Sequence, residues 1–420
     1  MKRLLMVAYH FPPLAGSSGI QRTLRFAQHL PALGWEPLVL TCTTGAYESI
    51  NADLLTEIPA DMVVRRAGAL DTARHLALGG RYLSALARPD RWMTWRFDGV
   101  RQGLQLIRQF QPAAIWSTYP IATAHVIGAA LQRHSGLPWV ADFRDPMAQE
   151  GYPEDPRTWQ AFHIIESQAM RQAAVSTFTT PSAVRSYRQR YPDAAGRIVL
   201  LENGYDEGSF EAAEKAANQR APLEPGGLTL LHSGIVYPSE RNPTHLIAAL
   251  RLLHDAGHIQ PGRLRLRFRA PVHETLLNEL AQRFGVQDYV ETCAPVGYRE
   301  ALSEMLRADA LLVMQAANCN EQIPAKVYEY LRAGRPVLCL SDPAGDTATT
   351  LRSTGLSRQA ALDDAPAIAT LIQQFVADAD RARLNATAGY LPTAEAVANA
   401  SRRGRARQLT ALLNELPSTR

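Results

Sequence analysis

The sequence predicts an α/β protein made of two doubly wound parallel-sheet domains. Three observations carry this: a length of 420 residues, short apolar runs alternating with helical patterns, and one polar interruption midway. One hydrophobic core seldom serves more than about 250–300 residues, so two domains are expected. Nearly continuous apolar strands imply sheets covered on both faces, as parallel strands crossed by helices are.

The first strand series is RLLMVAY (3–9), EPLVLTC (36–42), AAIWST (113–118), PWVADF (138–143), VSTFTT (175–180) and RIVLLE (197–202). Helical patterns lie between them, as over 20–33, 99–110 and 158–174. The stretch 203–227 is polar, with no strand, and reads as an interdomain connection. A second series follows: LTLLHSG (228–234), RLRLRFRA (263–270), DYVETCA (288–294), ADALLVM (308–314) and RPVLCLS (335–341). The expected organisation is a Rossmann-like domain over 1–205, a linker over 206–227, a second such domain over 228–390, and a helical tail over 391–420 packing back on the first domain. In RLRLRFR, arginines alternate with apolar residues, as in a half-buried strand with a protected edge.

Composition excludes several classes. Hydrophobic residues at 46% and charged residues at 20% fit an ordinary soluble protein, and a net charge of +4 does not call for nucleic acid. No apolar run reaches the length of a membrane span. The N-terminal apolar run is short and lacks a small-residue cleavage site, so it reads as a strand, not a signal peptide. The four cysteines form no CxxC pair and no metal-ligand spacing, which suits a reduced, cytoplasmic setting and no metal. The basic cluster RRGRAR (402–407) could touch anionic headgroups at the cytoplasmic face of a membrane. Trp92 and Trp95 read as packing residues.

The segment EQIPAKVYEYLRAG (321–334) holds the most specific chemistry. Pro324 suits the first turn of a helix and Gly334 the position just past its end. The N-terminus of such a helix attracts phosphate. Val327, Tyr330 and Leu331 share one face, while Lys326 and Glu329 point away from it. Glu321 lies in the loop ahead. Carboxylates accept paired hydrogen bonds from vicinal hydroxyls, so a sugar could meet Glu321, phosphates Lys326, and a ribose Glu329. The plainer reading is a solvated ion pair three residues apart.

EQIPAKVYEYLRAGRPVL resembles the E-x7-E segment of family-4 type retaining glycosyltransferases of the GT-B fold, a bacterial subgroup. YHFPPLAGSSGIQRTLRFAQHLPALGWEPLVLT (9–41), PWVADFRDP (138–146), HSGIVYPSERNP (232–243) and NGYDEGSF (203–210) resemble other segments of that family in the same order. The resemblance implies two Rossmann-like domains facing across a cleft, a nucleotide-sugar donor, a saccharide or lipid-linked saccharide acceptor, and no metal or other cofactor. It places Glu321 at the reacting sugar; Asp142 and Arg144, at the carboxyl end of an apolar strand, could serve catalysis by binding the transferring sugar or the acceptor, or could form a strand-end ion pair. Donor contacts fall to Gly16, Ser17, Ser18 and Gly19 in the first glycine loop, and to Gly234, Arg241, Ile323, Lys326 and Glu329. Thr118, Tyr119 and Asp145 fall on the acceptor side. The histidine that many relatives carry near ADFRDP is absent here, and His125, within a helix, reads as structural. The expected activity is sugar transfer with retention, in bacterial surface polysaccharide or glycoconjugate synthesis. A non-hydrolysing nucleotide-sugar epimerase and a non-catalytic sugar-nucleotide-binding subunit are the alternatives.

Overall fold

Where the sequence shows uninterrupted apolar runs, the chain forms central parallel strands. In the computed structural model, which describes residues 1–16, 19–217, 221–380 and 389–417, the chain divides into two compact units. These are Met1–Asn203 with Arg402–Arg420, and Gly204–Ser401.

The first unit is built on seven strands: β1 (Lys2–Val7), β2 (Trp35–Cys42), β3 (Val63–Ala67), β4 (Ala114–Thr118), β5 (Trp139–Arg144), β6 (Val175–Phe178) and β7 (Ile198–Leu200). They pair in parallel in the order β3-β2-β1-β4-β5-β6-β7. Leu4, Leu5, Met6 and Val7 are all fully buried, as a strand covered on both faces requires. The second unit has six parallel strands: β8 (Leu228–Ser233), β9 (Leu264–Arg269), β10 (Val290–Cys293), β11 (Ala310–Gln315), β12 (Val337–Ser341) and β13 (Gln359–Ala360). Their order is β10-β9-β8-β11-β12-β13. No helix among the described residues is long and apolar enough to cross a membrane.

Several sequence expectations change. The supposed linker contains the helix Glu207–Ala217, which belongs to the second unit. Phe210 and Ala213 are buried with Leu302 and Met305, and Arg332 pairs with Glu207 and Glu214 at 2.5 and 2.7 Å. Its polarity is that of a one-sided surface helix. The tail divides as well. The helix Ala394–Ala400 stays with the second unit, while the helix Arg402–Asn414 packs Ala406, Leu409 and Leu413 against Leu24, Phe26 and Leu30 of the first. Within RRGRAR, Arg402 and Arg405 are buried, and Arg405 pairs with Glu202 at 2.8 Å. Half of that cluster is therefore turned inward, away from any surface.

Strand β9 is not an edge, because β8 and β10 flank it. Its arginines are neutralised instead: Arg267 by Glu291 and Glu304, Arg269 by Glu304, and Arg265 by Glu224. Strand β3 escapes the apolar scan because two arginines interrupt VVRRA at the sheet edge.

Candidate active site

In open α/β sheets ligands bind beyond the carboxyl ends of the strands, where the strand order reverses. That point lies between β8 and β11 in the second unit and between β1 and β4 in the first. The residues singled out in the sequence gather beside these points in two sets, one in each unit.

In the second unit, the Ser233 N–H at the end of β8 donates to the Tyr330 hydroxyl at 3.0 Å, tying the strand to the helix Lys326–Ala333. Gly234 follows with a φ of 111°, where a side chain would be strained. A Cβ there would lie 3.1 Å from Lys326 Nζ, so the amine sits directly over the glycine backbone. Nζ is also 3.1 Å from His232 Nε2. Glu329, half-buried, accepts a hydrogen bond from the Tyr298 hydroxyl at 2.8 Å. Arg241 donates from Nη1 to the Ile235 carbonyl at 3.0 Å and packs its guanidinium over Tyr237 at 5.2 Å. Its Nε is buried without a hydrogen-bond partner among the described residues.

Burial, and then the charge of Arg241, push the Lys326 amine down to about 7, with Glu329 opposing them. Two cations at a partly dry strand end repel each other until an anion joins them, a pattern typical of functional sites.

The helix differs from expectation in two ways. It begins at Lys326, not Pro324, because the Val327 and Tyr328 N–H groups donate to the Pro324 and Ala325 carbonyls at 3.0 and 3.2 Å. Positive charge for a ligand therefore comes mainly from side chains. Lys326 also turns its amine inward over Gly234 instead of out with the solvated face.

Glu321 is exposed, but the loop that carries it is fastened. Gln315 Nε2 donates to the Cys319 and Gln322 carbonyls at 2.6 and 3.0 Å, and Asn320 donates to Asp342 at 2.6 Å. The carboxylate is thus presented from a rigid support. Ile323 packs on the core that includes Val327 and Tyr330. A cavity of about 540 Å³ opens near the ends of β11 and β12, lined by Asn242, His245, Gln315, Asp342 and Asp363, and takes in none of the predicted donor contacts. No group of three or more His, Cys, Asp or Glu side chains that could hold a metal occurs among the described residues.

In the first unit, Asp142 and Thr118 do not have the expected roles. Asp142 is fully buried and accepts from Arg22 Nη2 and Nε at 2.7 and 2.9 Å, Thr177 at 2.7 Å and Thr118 at 2.8 Å. With both oxygens engaged and no exposure, it holds strands together and cannot meet a sugar. Arg144 is placed differently. A bulge at the end of β5 sets its φ at 62°, uncommon for a non-glycine residue. Among the described residues its Nε is buried without a hydrogen-bond partner, and Nη1 makes a long contact, 3.5 Å, with the Tyr119 carbonyl. A Cβ at Gly19 would meet Arg144 Nη1 at 2.7 Å and His10 Nδ1 at 2.8 Å, so only glycine admits this approach. Gly16, with a φ of 77°, makes the turn before it. Tyr119 is buried nearby and Asp145 is exposed. Ser17 and Ser18 lie outside the described residues.

His125 is buried with Nδ1 2.7 Å from Ser117 Oγ, and burial pushes its pKa down to about 4, a packing role. Trp95 is fully buried, and Trp92 donates to the Ala46 carbonyl at 3.0 Å.

Three residues with site contacts escaped the sequence reading: His10, His232 and Tyr298. His10, just past β1, and His232, near the end of β8, are hidden by the apolar runs that carry them, although strand ends at a switch point are where such residues matter. Tyr298 lies in a loop-to-helix junction with no motif of its own.

The glycosyl transferase 4-like domain family matches residues 18–204. No significant match was found among curated protein sequences. Among solved structures, sucrose-phosphate synthase from Thermosynechococcus elongatus superposes with a TM-score of 0.64 at 16% identity, covering 99% of each chain. HepE from Anabaena, solved with UDP, gives 0.66 at 15% identity, covering 99% of this chain and 100% of its own. Trehalose 6-phosphate synthase from Burkholderia multivorans gives 0.63 at 15% identity, covering 99% of this chain and 96% of its own. At these identities the likeness is one of fold. The chain therefore shares the two-domain GT-B fold of these proteins, and residues 18–204 match a glycosyl transferase 4-like domain.

Proposed function

We propose that this enzyme moves a sugar from a nucleotide-sugar donor to a hydroxyl acceptor with retention of anomeric configuration. The observation that carries the reading is the paired Lys326 and Arg241 beside Gly234, which asks for a multiply charged anion such as a diphosphate. Glu329, steadied by Tyr298, takes the ribose hydroxyls, and Glu321 takes the hydroxyls of the transferring sugar. As the bond to the leaving diphosphate breaks, negative charge grows on its oxygen while the sugar gains positive charge. Lys326 and Arg241 stabilise the first, and a carboxylate near the ring favours the second. The reading needs no metal, since these cations supply the charge. On the first unit, Arg144, Tyr119 and Asp145, with Gly16 and Gly19, serve the acceptor side. HepE has been solved with UDP-glucose, which supports a uridine nucleotide as the first donor to try. The proposed setting is bacterial surface polysaccharide or glycoconjugate synthesis, at the cytoplasmic face of the membrane.

Glu329→Ala should weaken donor binding about tenfold or more with a smaller change in kcat, because a hydrogen-bonded charge is lost from ground and transition states alike. Glu321→Ala should lower kcat by about tenfold or more at nearly unchanged donor affinity. Calorimetry with the nucleotide and initial rates on a donor panel separate the two effects, and full activity in both variants would overturn the assignment. NMR of the new anomeric linkage tests retention.

A further inference from the structure

We propose that His232 is the positioning residue for the Lys326 amine, fixing through one ring nitrogen where that amine stands and so where the donor's diphosphate is held. The inference rests on the donor-site reading above and adds a residue to which the sequence reading gave no role.

His232 is the penultimate residue of β8 and is fully buried. Its Nδ1 lies 2.9 Å from the Leu312 carbonyl on the adjacent strand β11. A carbonyl can only accept, so Nδ1 carries the hydrogen. Burial, and then the charge of Lys326, hold the ring neutral. A neutral imidazole with hydrogen on Nδ1 leaves a lone pair on Nε2, and that atom faces Lys326 Nζ at 3.1 Å. The lysine therefore donates and the histidine accepts.

The consequence is geometric. A lysine has four rotatable bonds and, left alone, would swing its amine through solvent. Here the amine is held between the Nε2 lone pair and the Gly234 backbone, where a Cβ would come within 3.1 Å of it. One N–H is spent on the histidine and the rest remain for a ligand. Leu312, through the ring, ties the amine to the centre of the sheet. The ordering entropy of the side chain is thus met before the donor arrives, which raises affinity for a fixed set of contacts.

Asparagine and glutamine at position 232 separate the two ring nitrogens. His232→Asn keeps a donor for Leu312 but removes the acceptor facing Lys326. His232→Gln extends an amide oxygen to the place of Nε2. The experiment is calorimetric titration of full-length protein with UDP, GDP, ADP and dTDP, followed with the tightest binder. We expect His232→Asn to bind about tenfold more weakly, the scale of one hydrogen bond to a charged group, and His232→Gln to recover most of the loss. In a Lys326→Met background, His232→Asn should change affinity less than twofold, because the group it positions is gone. Equal losses from His232→Asn with and without Lys326, or no rescue by glutamine, would overturn the positioning role and leave the donor site standing. If no nucleotide binds the parent protein, or Lys326→Met binds as well as the parent, the donor-site reading itself fails and this inference with it.

Discussion

Lys326→Met is expected to lower kcat/KM for sugar transfer by about 100-fold or more, the usual scale for removing one preorganised charge from a transition state. The same change should raise, not lower, the thermal midpoint of the free protein. Burial and then the charge of Arg241 disfavour the ammonium in the free protein and push its pKa down to about 7. Methionine fills the same stem volume without that charge, and stability held back for function is recovered. The opposed directions matter. A variant that had merely misfolded would lose activity and midpoint together. Steady-state rates and a thermal melt on the same preparations decide it, and lost stability in Lys326→Met would contradict the electrostatic account.

Asp142→Ala should destabilise the first unit by about 3–5 kcal/mol, since removing one partner leaves Arg22 charged and buried. Arg22 and Asp142 are almost wholly excluded from solvent, and two threonine hydroxyls, Thr118 and Thr177, lose their acceptor with the carboxylate. Arg22 also donates to the Leu201 and Glu202 carbonyls at 2.9 and 3.0 Å, so the loss reaches the end of the first unit, where the chain leaves it. The unfolding transition of that unit should fall by more than about 5 °C. An Arg22→Met, Asp142→Leu double variant should cost less than Asp142→Ala, because no unpaired charge is left behind. An unchanged urea midpoint with lost activity in Asp142→Ala would instead restore Asp142 to the catalytic role that ADFRDP suggested.

That contrast shows what the sequence could and could not reveal. Strands with unbroken apolar character, such as LLMV and LLVM, were legible because burial on both faces leaves only one class of side chain. Strand β3 was not, since Arg65 and Arg66 sit at an edge where polar residues are tolerated. The helix Glu207–Ala217 was read as a connection because its buried face is narrow, essentially Phe210 and Ala213. In the proposed donor set, Lys326, Glu329 and Gly234 were singled out by residue type together with the family resemblance. Their arrangement was not legible: helical periodicity sent Lys326 outward, while a flexible stem let its amine turn back over Gly234. Asp142 and Arg144 stand two residues apart in one motif, yet one is fully paired in the core and the other is set aside by a bulge. No pattern of residue types distinguishes them. Partners far along the chain do, such as Arg22 for Asp142, 120 positions away.

The central claim is that Lys326 meets a nucleoside diphosphate as a cation, although burial and the charge of Arg241 make the amine easily deprotonated in the free protein. Its pKa of about 7 makes the amine charged below that pH and increasingly neutral above it. A bound diphosphate favours the charged form, so binding at higher pH must take up a proton, and affinity should fall as pH rises through 7. Calorimetric titration with UDP, or whichever nucleoside diphosphate binds tightest, at pH 8 in two buffers of different ionisation enthalpy measures that proton directly. The account predicts uptake approaching one proton per nucleotide at pH 8, little at pH 6, and none at either pH in Lys326→Met. Binding at pH 8 with no proton uptake, or with the same uptake in Lys326→Met, would contradict it.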